Sequence, residues 1–286
     1  MSTPSDIATN VQLASLLETI SRKAGNVHPG ARFDDLSLLD LAGGGIAIGP
    51  VLANAPQQPL GATILEAVRA TRHLSRSNAN LGIILLLAPL ASVSANDLTP
   101  DNVERVLATT TVSDSIQTFE AIRLANPGGL GEANEQDVAS QPTESLRDVM
   151  RLAASRDLIA KQYADGFVDL FDFGVPTLTR LLGHRVGTEE AVVRLHLEWL
   201  ATYPDSLIAR KSSFPTAEHV SEKTRTLLAR IPMGCLLGDA RYWAFDAWLR
   251  EERHNPGTSA DFVAASLYVA LQTGVVRWKE LADHWR

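Results

Sequence analysis

The sequence predicts an all-α protein, a single multi-helix globular domain spanning residues 1–286. Three observations predict it. Apolar residues make up 45% of the chain and charged residues 21%, which is enough for a core and too apolar for wholesale disorder. Aromatics are only 6%, few stretches concentrate Val, Ile, Tyr and Thr, and no sustained period-2 alternation runs along the chain. Apolar residues instead recur at 3–4 spacing between short polar interruptions, giving about nine or ten helices. No repeat of fixed length and no low-complexity tract is present in the sequence.

The elements follow in order. The opening MSTPSDIATN has no basic region leading into an apolar core, so it does not read as a signal peptide. Gly43, Gly44, Gly45 and Gly49 resemble a phosphate cradle, but no strand precedes them and no lysine follows. Close helix packing is the better reading. The longest apolar run, Leu81 to Val93, is short of the ~20 residues a membrane helix needs and contains Pro89; it reads as a helix buried on all sides. Thr99-Pro100 starts a helix with a hydroxyl cap and a first-turn proline. Ser113 is the expected cap of the next, whose Ile116, Phe119 and Ile122 or Arg123 follow 3–4 spacing. From Thr143 to about Gly166, Leu146, Val149, Met150, Ala153, Leu158 and Ile159 predict one helix on a drifting face. Glu189 to Tyr203 carries Val192, Leu195, Trp199 and Leu200 and stops before Pro204. Asp239 caps a helix with Tyr242, Trp243, Asp246 and Trp248. Ser259 is the expected cap of the last long helix, with Phe262, Val263, Leu267, Ala270 and Leu271 before Gly274. Trp199, Trp243 and Trp248 sit at helical spacing, as core residues do. His184, His196 and His219 have no motif context and read as structural or surface residues. The loops 54–59 and 126–142 are too short to be convincing linkers, so one domain is expected.

Net charge is −7, which weighs against a nucleic-acid coat. The single cysteine, Cys235, cannot form an internal disulfide, which favours a reducing, cytoplasmic setting. The patterns GxxxxGK[ST], HExxH and GxSxG are absent from the sequence. What stands out is five short stretches that join Gly or Pro to charged or amide side chains beside a helix. They are 23–28 with Asp34 and Asp35, then 78–82, 126–132, 204–211 and 254–261. Glycine lets a ligand approach backbone, and loop ends carry function. Five such stretches predict one shared polar cleft at the ends of a helical bundle.

The order of these stretches resembles the triphosphoribosyl-dephospho-CoA synthase family from about Val11 to Leu271. The matching segments are AGNVH (24–28), NANLGIILLLAPLA (78–91), AIRLANPGGLGEANEQDV (121–138), PDSLIARK (204–211) and HNPGTSADFVAASLYVAL (254–271). The resemblance implies an all-α fold whose cleft takes nucleotides. It also implies transfer of the 5-triphosphoribosyl group of ATP to the ribose 2′-hydroxyl of 3′-dephospho-CoA, releasing adenine. Such a displacement wants one carboxylate to accept the hydroxyl proton and a donor for the leaving base, and Mg²⁺ beside the triphosphate. Set against the family pattern, Asp34, Asp35 and Glu132 are the expected catalytic carboxylates. Asp34, Asp35 and Asp261 are the expected metal ligands, with helix capping and solvated charge as the plain alternative. Substrate contacts are expected from His28, Asn78, Asn80, Arg123, Gly128, Gly129, Asp205, Arg210, Lys211, Gly257, Thr258 and Ser259. The Gly257–Ser259 backbone N–H groups suit a phosphate or a simple cap.

Two motifs depart from the citrate-lyase-associated members. Their Asn-Thr-His-Lys-Gly is here Asn78-Ala79-Asn80-Leu81-Gly82, and their Pro-Lys-Pro-Gly is Arg22-Lys23-Ala24-Gly25. This form looks more like the branch found in methanogens and methylotrophs. That likeness suggests a second acceptor, a ribitol-bearing pterin precursor of tetrahydromethanopterin, with phosphoribosyl diphosphate as donor. A third reading is a non-catalytic helical nucleotide-binding or assembly protein. The expected partners are these small molecules, with neither nucleic acid nor membrane; a homodimer is compatible with the sequence.

Overall fold

The computed structural model describes residues 4–34, 36–75, 80–128, 135–184 and 186–285. Among them are fifteen α-helices and, beyond one isolated bridge between His28 and Ala31, no strand. The all-α expectation is met, with more and shorter helices than periodicity suggested. In order they are α1 (Pro4–Ile20), α2 (Leu38–Leu52), α3 (Leu60–Leu74), α4 (Leu81–Ala91), α5 (Pro100–Ala108), α6 (Val112–Ala125), α7 (Leu146–Ala153) and α8 (Leu158–Asp165). Then come α9 (Val175–Gly183), α10 (Thr188–Thr202), α11 (Ser206–Lys211), α12 (Phe214–Arg230), α13 (Ala240–Glu251), α14 (Gly257–Gln272) and α15 (Trp278–Asp283).

Caps explain the extra helices. The Thr143–Gly166 stretch is two helices, not one. Asp157 accepts from the backbone N–H groups of Ile159 and Ala160 at 2.9 and 3.0 Å and starts α8 afresh. Ser113 is not a cap. Thr111 and Asp114 form a reciprocal capping box two residues earlier, with Thr111 N and Oγ1 donating to Asp114 Oδ2 at 2.8 and 2.7 Å. Ser259 is not a cap either, because α14 begins at Gly257. Thr99 and Asp239 cap α5 and α13 as expected.

Helices α4 and α14 pack together through the centre, and almost every side chain of both is buried. Around them α1, α2, α3 and α6 pack in sequence, and α9 and α10 close the other side. Helix α10 is two-faced, and its 3–4 spacing explains how. Val192, Leu195 and Trp199 join the main core, while Val193, Leu197 and Leu200 face a second core with α11, α12 and α13. Trp199 stacks on Phe262 with ring centroids 4.4 Å apart, tying α10 to α14. Trp243 and Trp248 are half-buried against the second core. His196 is fully buried, and His184 and His219 are exposed.

The α2 glycines serve close packing, as their sequence context implies. A Cβ on Gly45 would stand 2.6 Å from Ser15 Cβ, and one on Gly49 would stand 2.7 Å from Gln12 Cγ, both on α1. By length and composition the stretch Leu38–Gln57 could cross a membrane. In the fold its Gly44, Ile48 and Leu52 face is buried, packed beside α1 and α3, as in a core helix.

Candidate functional site

At one end of the helices a cleft of about 1900 Å³ opens. Residues from all five polar stretches line it: Asn26 and Asp34, Asn80 to Gly82, Asn126 to Gly128, Leu207 with Ala209 to Lys211, and Asn255 with Gly257 to Asp261 except Ser259. Helix ends bring them together. The N-termini of α4 and α14 and the C-termini of α6 and α11 all reach the cleft. Asn80, with φ of 67°, turns the chain into α4 in the left-handed conformation that asparagine tolerates. Asn126 leaves α6 in the same conformation, with φ of 49°.

The expected residues fall into three groups. Asp34, Asn80, Arg123, Gly128, Arg210, Lys211, Gly257, Thr258 and Asp261 line the cleft. Asp35, Asn78, Gly129 and Glu132 lie outside the described residues. His28, Asp205 and Ser259 do not line it. The last group has structural partners. Asp205 Oδ1 accepts from Leu207 N and Ile208 N at 2.9 and 3.1 Å, capping α11. Its Oδ2 accepts from Ser259 N and Oγ at 2.7 and 2.8 Å, clamping the start of α14. Burial pushes the Asp205 carboxyl up, against these four donors that pull it down. His28 Nδ1 accepts from Gly30 N at 3.1 Å and shapes the 28–31 turn. Burial, then the Arg250 charge, lowers the His28 pKa to about 4, so its ring is neutral near pH 7.

Cations surround the opening. Arg123 Nη1 donates to the Val138 carbonyl at 2.5 Å. Arg210 stands 3.9 Å from Asp157, and Lys211 meets Gly128, where an added Cβ would lie 3.7 Å from Lys211 Cε. The third and fourth polar stretches therefore touch. Arg32, Arg156, Arg250 and Arg253 also line the cleft, and none of them was expected from the motifs. Leu81, in the second motif, is buried at the start of α4.

The floor is acidic. Asp261 lies so close to α4 that a Cβ on Gly82 would overlap its Oδ2, beside the positive end of the helix. Burial, then the charges of Glu18 and Asp205, raises the Asp261 pKa well above the usual carboxylate range. Glu18, on α1, is the second floor carboxylate, and sequence reasoning missed it. The one signal available was an acid and Lys23, five residues apart, in a largely apolar stretch. Metal donors on the wall are oxygen only, with no His or Cys among the lining residues. Among the described residues no three potential ligands are grouped tightly enough to hold a metal themselves. Mg²⁺ needs no such cage, since one or two carboxylates with water and substrate phosphates suffice, and the donor set fits it.

Fold and cleft together are those of an all-helical enzyme of small, charged substrates. The chain belongs to the ATP:dephospho-CoA triphosphoribosyl transferase family, whose model it matches over residues 4–279. It is thus a transferase of the pentosyl-transferring class. A crystal structure from Archaeoglobus fulgidus, provisionally assigned as a triphosphoribosyl-dephospho-CoA synthase, superposes with a TM-score of 0.63 and 27% identity. The match covers 81% of this chain and 98% of that one. No curated protein gives a significant match.

Proposed function

We propose that this protein moves the 5-triphosphoribosyl group of ATP to the 2′-hydroxyl of 3′-dephospho-CoA and releases adenine. One observation carries the reading: five polar stretches spread over the chain meet in a single cation-rimmed cleft, on a chain that the family model spans. The acceptor oxygen attacks C1′ of the ATP ribose as the C1′–N9 bond breaks, through an oxocarbenium-like state. The triphosphate stays on the sugar, so it must be held and not activated. Arg123, Arg210 and Lys211 line the cleft and would hold it, and Gly128 beside Lys211 would let its backbone approach a phosphate oxygen. Asp34 and Asp261, which line the cleft, would supply hard oxygen for Mg²⁺, with Asp35 and Glu132 as the expected further ligand and carboxylate from outside the described residues. That ion would offset triphosphate charge. Thr258 is anchored by Ser206 Oγ at 3.1 Å, so its position at the start of α14 is fixed before substrate arrives.

The test is direct. Purified protein with Mg-ATP and dephospho-CoA should release adenine and yield an acceptor heavier by one triphosphoribosyl group, read by chromatography and mass spectrometry. Adenine without the conjugate would indicate a hydrolase; neither product would refute the proposal.

A further inference from the structure

Just past its end, helix α1 is tied by a buried ion pair between its Glu18 and Lys23, the first residue of the 23–28 stretch. Glu18 is 2% exposed and Lys23 fully buried. Lys23 Nζ lies 3.0 Å from Glu18 Oε1, and it also donates to the Glu18 and Ser21 carbonyls. Thr19 Oγ1 donates to Glu18 Oε2 at 3.2 Å. Burying two charges is costly, and an apolar pair of similar volume often serves a fold as well. The pair is also polarised in space. Glu18 lines the cleft, and Lys23, with no exposed surface, stands behind it.

A second feature lies on the same cleft. Asn80 Nδ2 donates to the Leu41 carbonyl at 2.9 Å, which fixes which way the amide faces. Its Oδ1 is buried and has no donor among the described residues. A buried acceptor left without a donor is unfavourable unless a ligand brings one. Glu18 and Asn80 both line the cleft, and they carry acceptor oxygens into its wall. A phosphate, which brings none but acceptor oxygens, is repelled there. A sugar hydroxyl fits, because it donates and has a proton to give.

We propose that Glu18 is the catalytic base of this transferase, taking the proton of the acceptor 2′-hydroxyl as it attacks, while Asn80 Oδ1 accepts from the neighbouring 3′-hydroxyl of the same ribose. The inference rests on the transferase reading above. The hydroxyl oxygen forms the new bond to C1′, and its proton passes to a Glu18 oxygen. Adenine leaves with the electron pair of the C1′–N9 bond and takes a proton from cleft water, to which Glu18 returns its own. Lys23, 3.0 Å from Glu18 Oε1, is a positioning residue that holds the carboxylate in place.

The experiment measures adenine release from Mg-ATP and dephospho-CoA by the full chain and by Glu18→Gln, with thermal melting as the check on folding. Glu18→Gln should lower kcat by about 10²–10⁴ while the KM for both substrates stays within about threefold. Glu18→Asp, which keeps a carboxylate, should recover part of that loss. A Glu18→Gln enzyme within about threefold of wild-type kcat, or one altered in KM alone, overturns the inference. If Glu18→Gln fails to fold because Lys23 is left unpaired, Glu18→Gln with Lys23→Met removes both charges. That double variant should fold and lack turnover, and its retaining activity overturns the inference equally. An inactive wild type refutes the transferase reading itself and takes this inference with it; an active wild type beside an active variant refutes this inference alone.

Discussion

Replacing Asp205 with alanine separates a structural carboxylate from a substrate-binding one. Asp205 is fully buried and accepts four hydrogen bonds, two from the first turn of α11 and two from Ser259 in the first turn of α14. Loss of a capping side chain costs about 1 kcal/mol. The Ser259 N–H and hydroxyl, on a residue 2% exposed, would then be left without acceptors at about 1–3 kcal/mol each. Partial relaxation brings the sum to about 3–5 kcal/mol, a large share of a typical domain's stability of about 5–15 kcal/mol. At roughly 2 °C per kcal/mol for a chain of this length, the melting temperature should fall by about 6–10 °C. Differential scanning calorimetry of Asp205→Ala measures it. The matched control is Asp239→Ala, which removes the same kind of cap from the solvent-facing start of α13, where water can replace the lost acceptor. The control should shift far less. Equal shifts in the two variants would refute the argument, since it turns on burial and not on capping chemistry.

Three further outcomes follow from the geometry. Burial lowers the pKa of His196 from 6.5 to about 3, so the unfolded chain binds a proton that the native state refuses as pH falls below 6.5. Between pH 7 and pH 5 this should remove about 2 kcal/mol of stability, and urea unfolding of His196→Gln should show a correspondingly flatter pH profile; identical profiles would contradict it. Gly61→Ala would put a Cβ 2.5 Å from the Asp114 backbone, so α3 and α6 must part; a loss of about 1–3 kcal/mol is expected, and an unchanged melting temperature would mean that the crossing yields. Arg210→Ala and Lys211→Ala should each raise the KM for ATP about ten- to hundredfold, the worth of a charge-assisted phosphate contact; unchanged values would move the triphosphate elsewhere in the cleft.

Much of the fold is legible in the chain where one local signal acts alone. Thr99-Pro100 announces α5, and Pro204 ends the segment containing α10. Legibility fails where two local signals compete. Thr111 and Ser113 are both hydroxyl candidates, and only the return bond from Asp114 decides between them. The apolar spacing from Leu146 to Ile159 outlines one face, yet the Asp157 carboxylate interrupts it and redirects the backbone. The site divides similarly. Asn80, Arg210 and Thr258 sit in loop motifs and reach the cleft. Asp205 sits in such a motif too, but its oxygens point inward to backbone donors.

The sequence by itself determined the helical class, the caps of several helices, and which five stretches concentrate polar chemistry. These are properties of residues within a few positions of each other, and local sterics and hydrogen bonding settle them. Only the tertiary structure decided that the five stretches converge, that arginines 32, 156, 250 and 253 join them, and that Glu18 and Lys23 make a buried pair with the carboxylate to the cleft. Burial and convergence depend on how α1, α4, α11 and α14 pack against one another, and that packing is a sum over contacts far apart in the chain.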